Sequence, residues 1–116
     1  MDYNKNMWSL FIDDERFPKD TTRNFTISRS MEEAVKLIEQ QGCPTYISFD
    51  HDLGCDSQEI PHATGYDFAH WLVNSDMDGK ITFPEGFKFN VHSANPTGAA
   101  NIQALISNYL AFKARQ

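Results

Sequence analysis

The stretch Tyr46-Ile-Ser-Phe-Asp-His-Asp-Leu-Gly54 runs an apolar strand directly into two carboxylates, an imidazole and a glycine. Near-continuous apolar strands are typical of the buried middle of a parallel sheet. Such a strand delivers the residues after it to the carboxyl edge of the sheet, where open α/β folds bind their ligands. We therefore expect the chemistry of this chain to lie at Asp50, His51 and Asp52.

Three other segments have the character of strands. Residues 8–12 form a nearly continuous apolar run before Asp13, which predicts a second central strand. Residues 24–28 and 87–92 alternate apolar and polar side chains, a pattern typical of edge strands. The sequence therefore predicts two central and two edge strands.

Helical repeats of apolar residues separate the later strands. Ser30 starts the first helix with a capping box, and Thr64 caps the second. Residues 74–86 end the second helix and loop back, with a short extended piece expected at residues 81–83. Asn95 caps the last helix, whose first turn begins with a proline.

Alternating strands and helices predict a parallel α/β sheet with right-handed crossovers. The four strands fit the spatial order second, first, third, fourth, with a helix after each strand but the first. In this order the first and third strands are neighbours, and both end in acidic residues. Asp13, Asp14 and Asp50 should then converge.

Composition narrows the class of protein. A length of 116 residues predicts one domain over 1–116. The net charge of −6 argues against a long nucleic acid as partner and leaves a small phosphorylated ligand open. No apolar run approaches a bilayer-spanning length, so no membrane association is expected. Cys43 and Cys55 match no zinc or redox spacing, and we interpret both as free thiols in a reducing cytoplasm.

The pattern of acidic residues resembles the response-regulator receiver domain. In that family an acidic pair follows the first strand, and here Asp13 and Asp14 match it. Asp50 matches the phosphoacceptor after the third strand, and Ser93 matches the small hydroxylated residue after the fourth. The first helix, the fifth strand-helix unit and its lysine are missing from this chain, which counts against ordinary phospho-signalling.

A closer resemblance is to a divergent receiver-like group of bacteria and phages, the cyclic-phosphate-processing receiver domains. Residues 10–16 (LFIDDER), 48–54 (SFDHDLG) and 91–96 (VHSANP) look like its signatures. The resemblance covers nearly the whole chain. It implies a flavodoxin-like α/β fold of about four parallel strands and a role on cyclic phosphates.

The three carboxylates suit a divalent cation. Asp13, Asp14 and Asp50 would hold one Mg²⁺ or Mn²⁺ that keeps several waters and polarises a phosphoryl oxygen. The simpler interpretation is that acidic residues follow strands because loops are polar. Three carboxylates at the ends of two neighbouring strands exceed what loop polarity predicts.

Other polar residues near these strand ends are candidates for proton transfer and phosphate binding. Imidazole as a side-chain type exchanges protons near neutrality, so one of His51 and His92 would take a proton from water while the other donates to the leaving oxygen. Ser93 and Asn95 would contact the phosphate at the amino end of the last helix, although Asn95 is also a sufficient N-cap. Asp52 would bind substrate, support His51, or serve only as a turn residue.

The leading hypothesis is a metal-dependent phosphohydrolase for a cyclic phosphate on a nucleotide, an ADP-ribose derivative or an RNA end. Direct attack by water and a transient phosphoryl group on Asp50 both remain open. The alternative is a non-catalytic binding module that sequesters a cyclic nucleotide or docks on a partner protein. A third hypothesis is a true receiver that is phosphorylated on Asp50. The absence of the expected lysine counts against it. The sequence leaves the oligomeric state open, although either edge strand offers a surface for pairing.

Overall fold

Four short strands and three helices make up the part of the chain that the computed structural model describes, residues 7–53 and 63–115. In chain order they are β1 (Ser9–Ile12), β2 (Phe25–Ser28), α1 (Met31–Gln41), β3 (Tyr46–Phe49), α2 (Gly65–Met77), β4 (Lys88–Val91) and α3 (Pro96–Ala114).

The strands form one sheet in the order β2-β1-β3-β4, and every pairing is parallel. β1 and β3 are the central pair, with Ser9 opposite Tyr46 and Ile12 opposite Phe49. The predicted strand order, the parallel pairing and the edge positions of β2 and β4 are therefore confirmed. The carboxyl ends of β1 and β3 consequently lie side by side.

All three helices pack on one face of the sheet. The residues of β1 and β3 on this face, Leu10, Ile12, Ile47 and Phe49, are fully buried in a cluster with apolar residues of every helix. Because strand side chains alternate between faces, the residues between them point the other way. We call that side of the sheet the open face; its residues are Ser9, Phe11, Phe25, Ile27, Tyr46, Ser48, Lys88 and Asn90.

The helix starts follow the predicted caps, with one correction. The Ser30 hydroxyl accepts the Glu33 N–H, as expected, but the Glu33 carboxylate accepts the N–H of Arg29 rather than that of Ser30. The predicted capping box at α1 is therefore only half formed. At α2 both halves are present, because Thr64 and Asp67 exchange hydrogen bonds of 2.8 and 3.1 Å.

The segment after α2 differs from the prediction. α2 continues to Met77, so the expected end at residue 74 is too early, and residues 81–83 form no strand. The reason is that the last turn of α2 captures their backbone donors. The N–H of Phe83 donates to Asp76 at 3.0 Å, and that of Ile81 donates to a carbonyl of α2 at 3.3 Å.

The Asp76 carboxylate links α2 to α3. It accepts a hydrogen bond from the Tyr109 hydroxyl and lies 2.8 Å from Lys113 Nζ. Burial raises the pKa of Asp76, but the bonds from Lys113, Tyr109 and the Phe83 N–H outweigh burial and lower it. Burial and the bond to Asp76 raise the pKa of Tyr109 to about 12.

We expect Tyr109→Phe to lower the free energy of unfolding by about 1 kcal/mol, the value of one lost hydrogen bond. Folded Tyr109 keeps its proton up to about pH 12, whereas an ordinary tyrosine ionises near 10. This contribution is therefore fully present below about pH 10 and is lost as the pH rises through about 12. Denaturant unfolding of both proteins across this range should show the difference closing; a constant difference would contradict the assignment.

Two smaller predictions concern the cysteines and membrane association. Cys43 is a buried free thiol, and burial raises its pKa to about 12, so it is inert. Cys55 lies outside the described residues. Within the described ranges, none of the helices has both the length and the apolar character needed to cross a bilayer. The cytoplasmic location stays a prediction.

Candidate functional site

Backbone hydrogen bonds between neighbouring strands place the candidate residues at one edge of the sheet. Asp13 follows β1 and Asp50 follows β3, and the N–H of Asp50 donates to the Ile12 carbonyl at 2.9 Å. The N–H of His92, after β4, donates to the Phe49 carbonyl at 2.9 Å. The sheet register thus brings the ends of three strands together.

Three carboxylates meet at this edge. One oxygen from each of Asp13, Asp14 and Asp50 lies within 4.8 Å of the other two. Asp13 is 0% exposed and Asp50 is 2% exposed, while Asp14 is the least buried of the three. Carboxylate oxygens at this spacing suit a hard divalent cation that keeps part of its water shell. The predicted convergence is confirmed, and the choice between Mg²⁺ and Mn²⁺ stays a prediction.

Asp13 is held by hydrogen bonds on both oxygens. Its Oδ1 accepts the backbone N–H groups of Glu15 and Arg16 at 3.0 and 2.9 Å. Its Oδ2 lies 3.0 Å from His92 Nε2 and 3.2 Å from Arg16 Nε. Burial raises the pKa of Asp13, but the two backbone donors and then His92 and Arg16 outweigh burial and hold it below its usual range. Asp13 is therefore ionised at neutral pH.

The pKa of Asp50 is shifted in the opposite direction to that of Asp13. Burial and the negative charge of Asp13 raise its pKa, and the Ser93 hydroxyl, Arg16 and His92 only partly oppose them. The nearest guanidinium nitrogen, Arg16 Nη2, is 3.6 Å from Asp50 Oδ2. Two crowded carboxylates with this balance favour a bound cation, because added positive charge relieves their repulsion.

Arg16 is the site residue that the sequence analysis missed. Its guanidinium reaches both Asp13 and Asp50. Its carbonyl oxygen accepts a hydrogen bond of 2.6 Å from Arg29, which also donates to the Asp13 carbonyl at 3.1 Å. The sequence does contain a sign of this role: an arginine stands three residues after a predicted buried aspartate, in a loop that lacks helical periodicity.

We expect Arg16→Gln to tighten Mn²⁺ binding by about twofold to fivefold, because the half-exposed guanidinium competes for the same carboxylates. Isothermal titration without any phosphate ligand measures this directly. Arg23→Gln is the matched control, since that guanidinium lies over the Tyr46 ring at 4.0 Å. If both variants bound Mn²⁺ more tightly by the same factor, the cause would be the change in net charge. That outcome would contradict a specific competition between Arg16 and the cation.

His92 contacts protein groups through both ring nitrogens. Because the ionised Asp13 carboxylate only accepts, Nε2 carries the hydrogen, and Nδ1 accepts the Ser48 hydroxyl at 2.7 Å. The ring also stacks on Phe11, with centroids 4.4 Å apart and planes 3° apart. His92 therefore orients Asp13, and transfer of a proton to a ligand would require one of these contacts to break. Its acid-base role stays a prediction.

His51 is arranged differently. Its Nδ1 lies 2.9 Å from Asp52 Oδ1, so Nδ1 carries the hydrogen and Nε2 is the basic atom. The ring lies against the first turn of α3, where a Cβ on Gly98 would approach His51 Cγ to 2.4 Å. The structure thus brings Asp52 to His51 as its partner. Substrate binding by Asp52, whose side chain is 66% exposed, stays a prediction.

Ser93 and Asn95 link the carboxylates to the start of α3. The Ser93 hydroxyl lies beside the Asp50 carboxylate, where it acts to lower the pKa of that group, and its oxygen accepts the Asn95 N–H at 3.0 Å. The side-chain oxygen of Asn95 accepts the Gly98 N–H at 2.9 Å, which confirms the predicted N-cap. Contact of either residue with a phosphate stays a prediction.

Comparison with known families identifies the arrangement. The sequence model described as "Cyclic-phosphate processing Receiver domain" matches residues 8–108. The chain belongs to this family. Comparisons with curated proteins and with solved structures find no match. The receiver-like α/β fold and a link to cyclic-phosphate processing, both expected from the resemblance, are therefore confirmed at the level of the family.

Within this cyclic-phosphate processing receiver domain, the match spans every residue of the candidate site. Asp13, Asp14, Asp50, His51 and His92 lie inside the matched range, as do Asp52, Ser93 and Asn95. The family description names the class of ligand and leaves the reaction and the individual roles open.

Proposed function

We propose that this cyclic-phosphate processing receiver domain hydrolyses the cyclic phosphate of a nucleotide, an ADP-ribose derivative or an RNA end with the help of a divalent cation. The observation that carries the proposal is the trio of carboxylate oxygens within 4.8 Å at the sheet edge. Asp13, Asp14 and Asp50 would hold the cation. When bound, the cation would polarise a phosphoryl oxygen and neutralise developing charge.

His51 supplies the proton transfer in this proposal. Its Nε2 takes a proton from the attacking water while Asp52 keeps the hydrogen on Nδ1 and stabilises the charged ring. The water oxygen bonds to phosphorus, one ester bond of the ring breaks, and the leaving oxygen receives the proton. The product is a phosphomonoester that carries a free hydroxyl.

The remaining residues orient the reacting groups. His92 keeps Asp13 in place, as its contacts to Asp13 and Ser48 support. Ser93 lies before the amino end of α3, where free N–H groups and the helix dipole attract a phosphate. Direct attack by water is favoured over phosphorylation of Asp50, because that carboxylate is buried and its Oδ2 lies 3.6 Å from the Arg16 guanidinium.

A binding module without turnover is the second candidate. It is favoured by the extent to which the site residues already satisfy one another's hydrogen bonds and charges. Both nitrogens of His92 are engaged, and Arg16 partly neutralises Asp13 and Asp50. Such a site would hold a cyclic nucleotide and leave it intact.

Phosphorus NMR distinguishes the two candidates. The panel contains 2′,3′-cyclic nucleotides, 3′,5′-cyclic nucleotides and an ADP-ribose cyclic phosphate, each with Mg²⁺ and with chelator; reactions with Mn²⁺ are read after chelation. We expect Mg²⁺-dependent conversion of one class to a monoester, with a strong reduction in His51→Ala. Unreacted resonances that broaden when protein is added would replace hydrolysis by binding.

A further inference from the structure

The open face of the sheet carries a concave pocket beside the carboxylates. The cavity measures about 300 Å³. Its floor is formed by Phe11, Phe25 and Tyr46, its rim by Asn90 of β4, and one wall by residues 16–20 of the loop after β1. Ligand sites in proteins start at about this volume. The loop takes the place of the helix that the sequence lacks after β1, and it leaves the pocket accessible.

The pocket is continuous with the candidate metal site. Arg16 and His92 both line the pocket, and both contact Asp13, at 3.2 and 3.0 Å. A ligand whose phosphate lies at the carboxylates would therefore extend past these two side chains directly onto the open face. The two regions form one site with an anionic end and an aromatic end.

The floor consists of aromatic rings that are not part of the helix-covered core. Phe11 and Phe25 have centroids 5.7 Å apart, and Phe25 and Tyr46 have centroids 5.9 Å apart. Phe25 and Tyr46 are only half-buried, and the Arg23 guanidinium lies over the Tyr46 ring at 4.0 Å, a stacking position that a base would take in its place. Phe17 of the loop wall is 70% exposed. Rings of this kind stack on planar heterocycles whatever their identity.

The polar groups of the pocket select among aromatic partners. The Asn90 side chain is exposed at the rim, and an amide offers both donors and an acceptor to the edge of a base. Lys19 adds a positive charge and Asp20 a negative charge to the loop wall. A purely apolar partner would bury these polar groups without hydrogen bonds, at considerable cost. A planar ring with a polar edge, attached to a phosphate, meets each requirement.

We propose that this pocket binds the base of a nucleoside cyclic phosphate, stacked on the floor formed by Phe25 and Tyr46. This inference rests on the proposed function for the phosphate end and narrows its ligand to one that carries a base next to the cyclic phosphate. Asn90 then pairs with the edge of the base. Phe17 covers its outer face.

Binding of matched probes tests the inference independently of turnover. The probes are adenosine and uridine 2′,3′-cyclic monophosphate and the base-free methyl riboside 2,3-cyclic phosphate, each with Mg²⁺. Amide chemical shifts of the isotope-labelled protein give the affinities and the residues involved, and phosphorus NMR of the same samples gives conversion. We expect the nucleotides to bind about tenfold more tightly than the base-free probe and to shift the amides of β3 and residues 16–20.

Variants separate the pocket from the rest of the fold. Tyr46→Ala and Phe17→Ala should each weaken nucleotide binding, the first by about tenfold, and leave the base-free probe unchanged. Asn90→Leu, at an exposed position, should weaken it a few-fold. Phe112→Ala is the matched control, because that exposed ring lies at the far end of α3. It should change neither probe.

The outcomes distinguish this inference from the proposed function. Equal affinity for base-free and base-containing probes would overturn the pocket assignment, and conversion of both would leave hydrolysis standing. Base-dependent shifts at the pocket without conversion would support the pocket and overturn hydrolysis. Pocket shifts that depend only on protein concentration would assign the open face to contact between two copies and overturn the inference.

Discussion

Asp50→Asn is expected to abolish cyclic-phosphate conversion and to stabilise the fold at neutral pH. The change replaces one of the three carboxylates proposed to hold the cation by a neutral amide, so we expect activity to fall by at least about a hundredfold. The amide also removes a buried negative charge that faces Asp13, which should raise the free energy of unfolding by about 1 kcal/mol.

The stabilising half of this prediction depends on pH. The folded-state pKa of Asp50 is raised above the ordinary value of 3.8, so its ionisation opposes folding. This penalty is absent below the ordinary value, grows between the ordinary value and the raised folded-state pKa, and is complete above the folded-state pKa. The advantage of Asp50→Asn should therefore be largest near neutrality and disappear in acid.

Thermal unfolding with chelator and with Mg²⁺ measures both effects. Wild type should gain stability from Mg²⁺, and Asp50→Asn should not, because a ligand stabilises only the state that binds it. Asp14→Asn is the matched control: it neutralises the least buried of the three proposed cation ligands, so it should lose the Mg²⁺ response without gaining stability. An Asp50→Asn protein less stable than wild type in chelator would refute the charge argument.

Gly65→Ala is expected to lower the free energy of unfolding by about 3 kcal/mol. In an ordinary helix the same change would stabilise by roughly 0.5–1 kcal/mol. Here a Cβ would lie 1.8 Å from the Asp50 carbonyl oxygen and 3.1 Å from His51 Cα. Both are backbone atoms, so the start of α2 would have to move away. That movement would stretch the 2.7 Å bond from the Gly65 N–H to the His51 carbonyl.

Denaturant unfolding with chelator, followed by Mg²⁺ titration, measures the damage to fold and site. Gly98→Ala is the matched comparison in the first turn of α3, where the obstacle is the His51 ring at 2.4 Å. A side chain can rotate away, so we expect a smaller loss of stability there together with loss of His51 orientation. A Gly65→Ala protein as stable as wild type would show that the loop after β3 accommodates the methyl group.

The sequence predicted the sheet and the carboxylate trio for the same reason. Asp13 and Asp50 each follow an apolar run, and parallel strands bring such ends to a common edge. The local sequence pattern was less informative where tertiary contacts determine the backbone conformation. The pattern of residues 81–83 predicted an extended segment. The backbone N–H groups of Ile81 and Phe83 instead donate hydrogen bonds to the end of α2.

Partners distant in the sequence could not be predicted. His92 and Asp13 are 79 residues apart, and His92 and Ser48 are 44 apart, so no spacing rule links them. The guanidinium of Arg16 reaches its carboxylates through a loop without regular structure. The fold and the carboxylate trio follow from the strand ends, whereas the different contacts of the two histidines follow only from side-chain geometry.

The placement of all three helices on one face would separate folding from the base recognition proposed for the open face. Nearly all apolar burial lies on the Leu10 and Ile12 side, so substitutions at Phe25, Tyr46 or Asn90 leave the helix-packed core intact. Under that proposal, a lineage built on this scaffold would be free to exchange one ligand for another by changing a few open-face residues. The carboxylate edge and the core would persist through such diversification, so specificity can evolve faster than the fold itself.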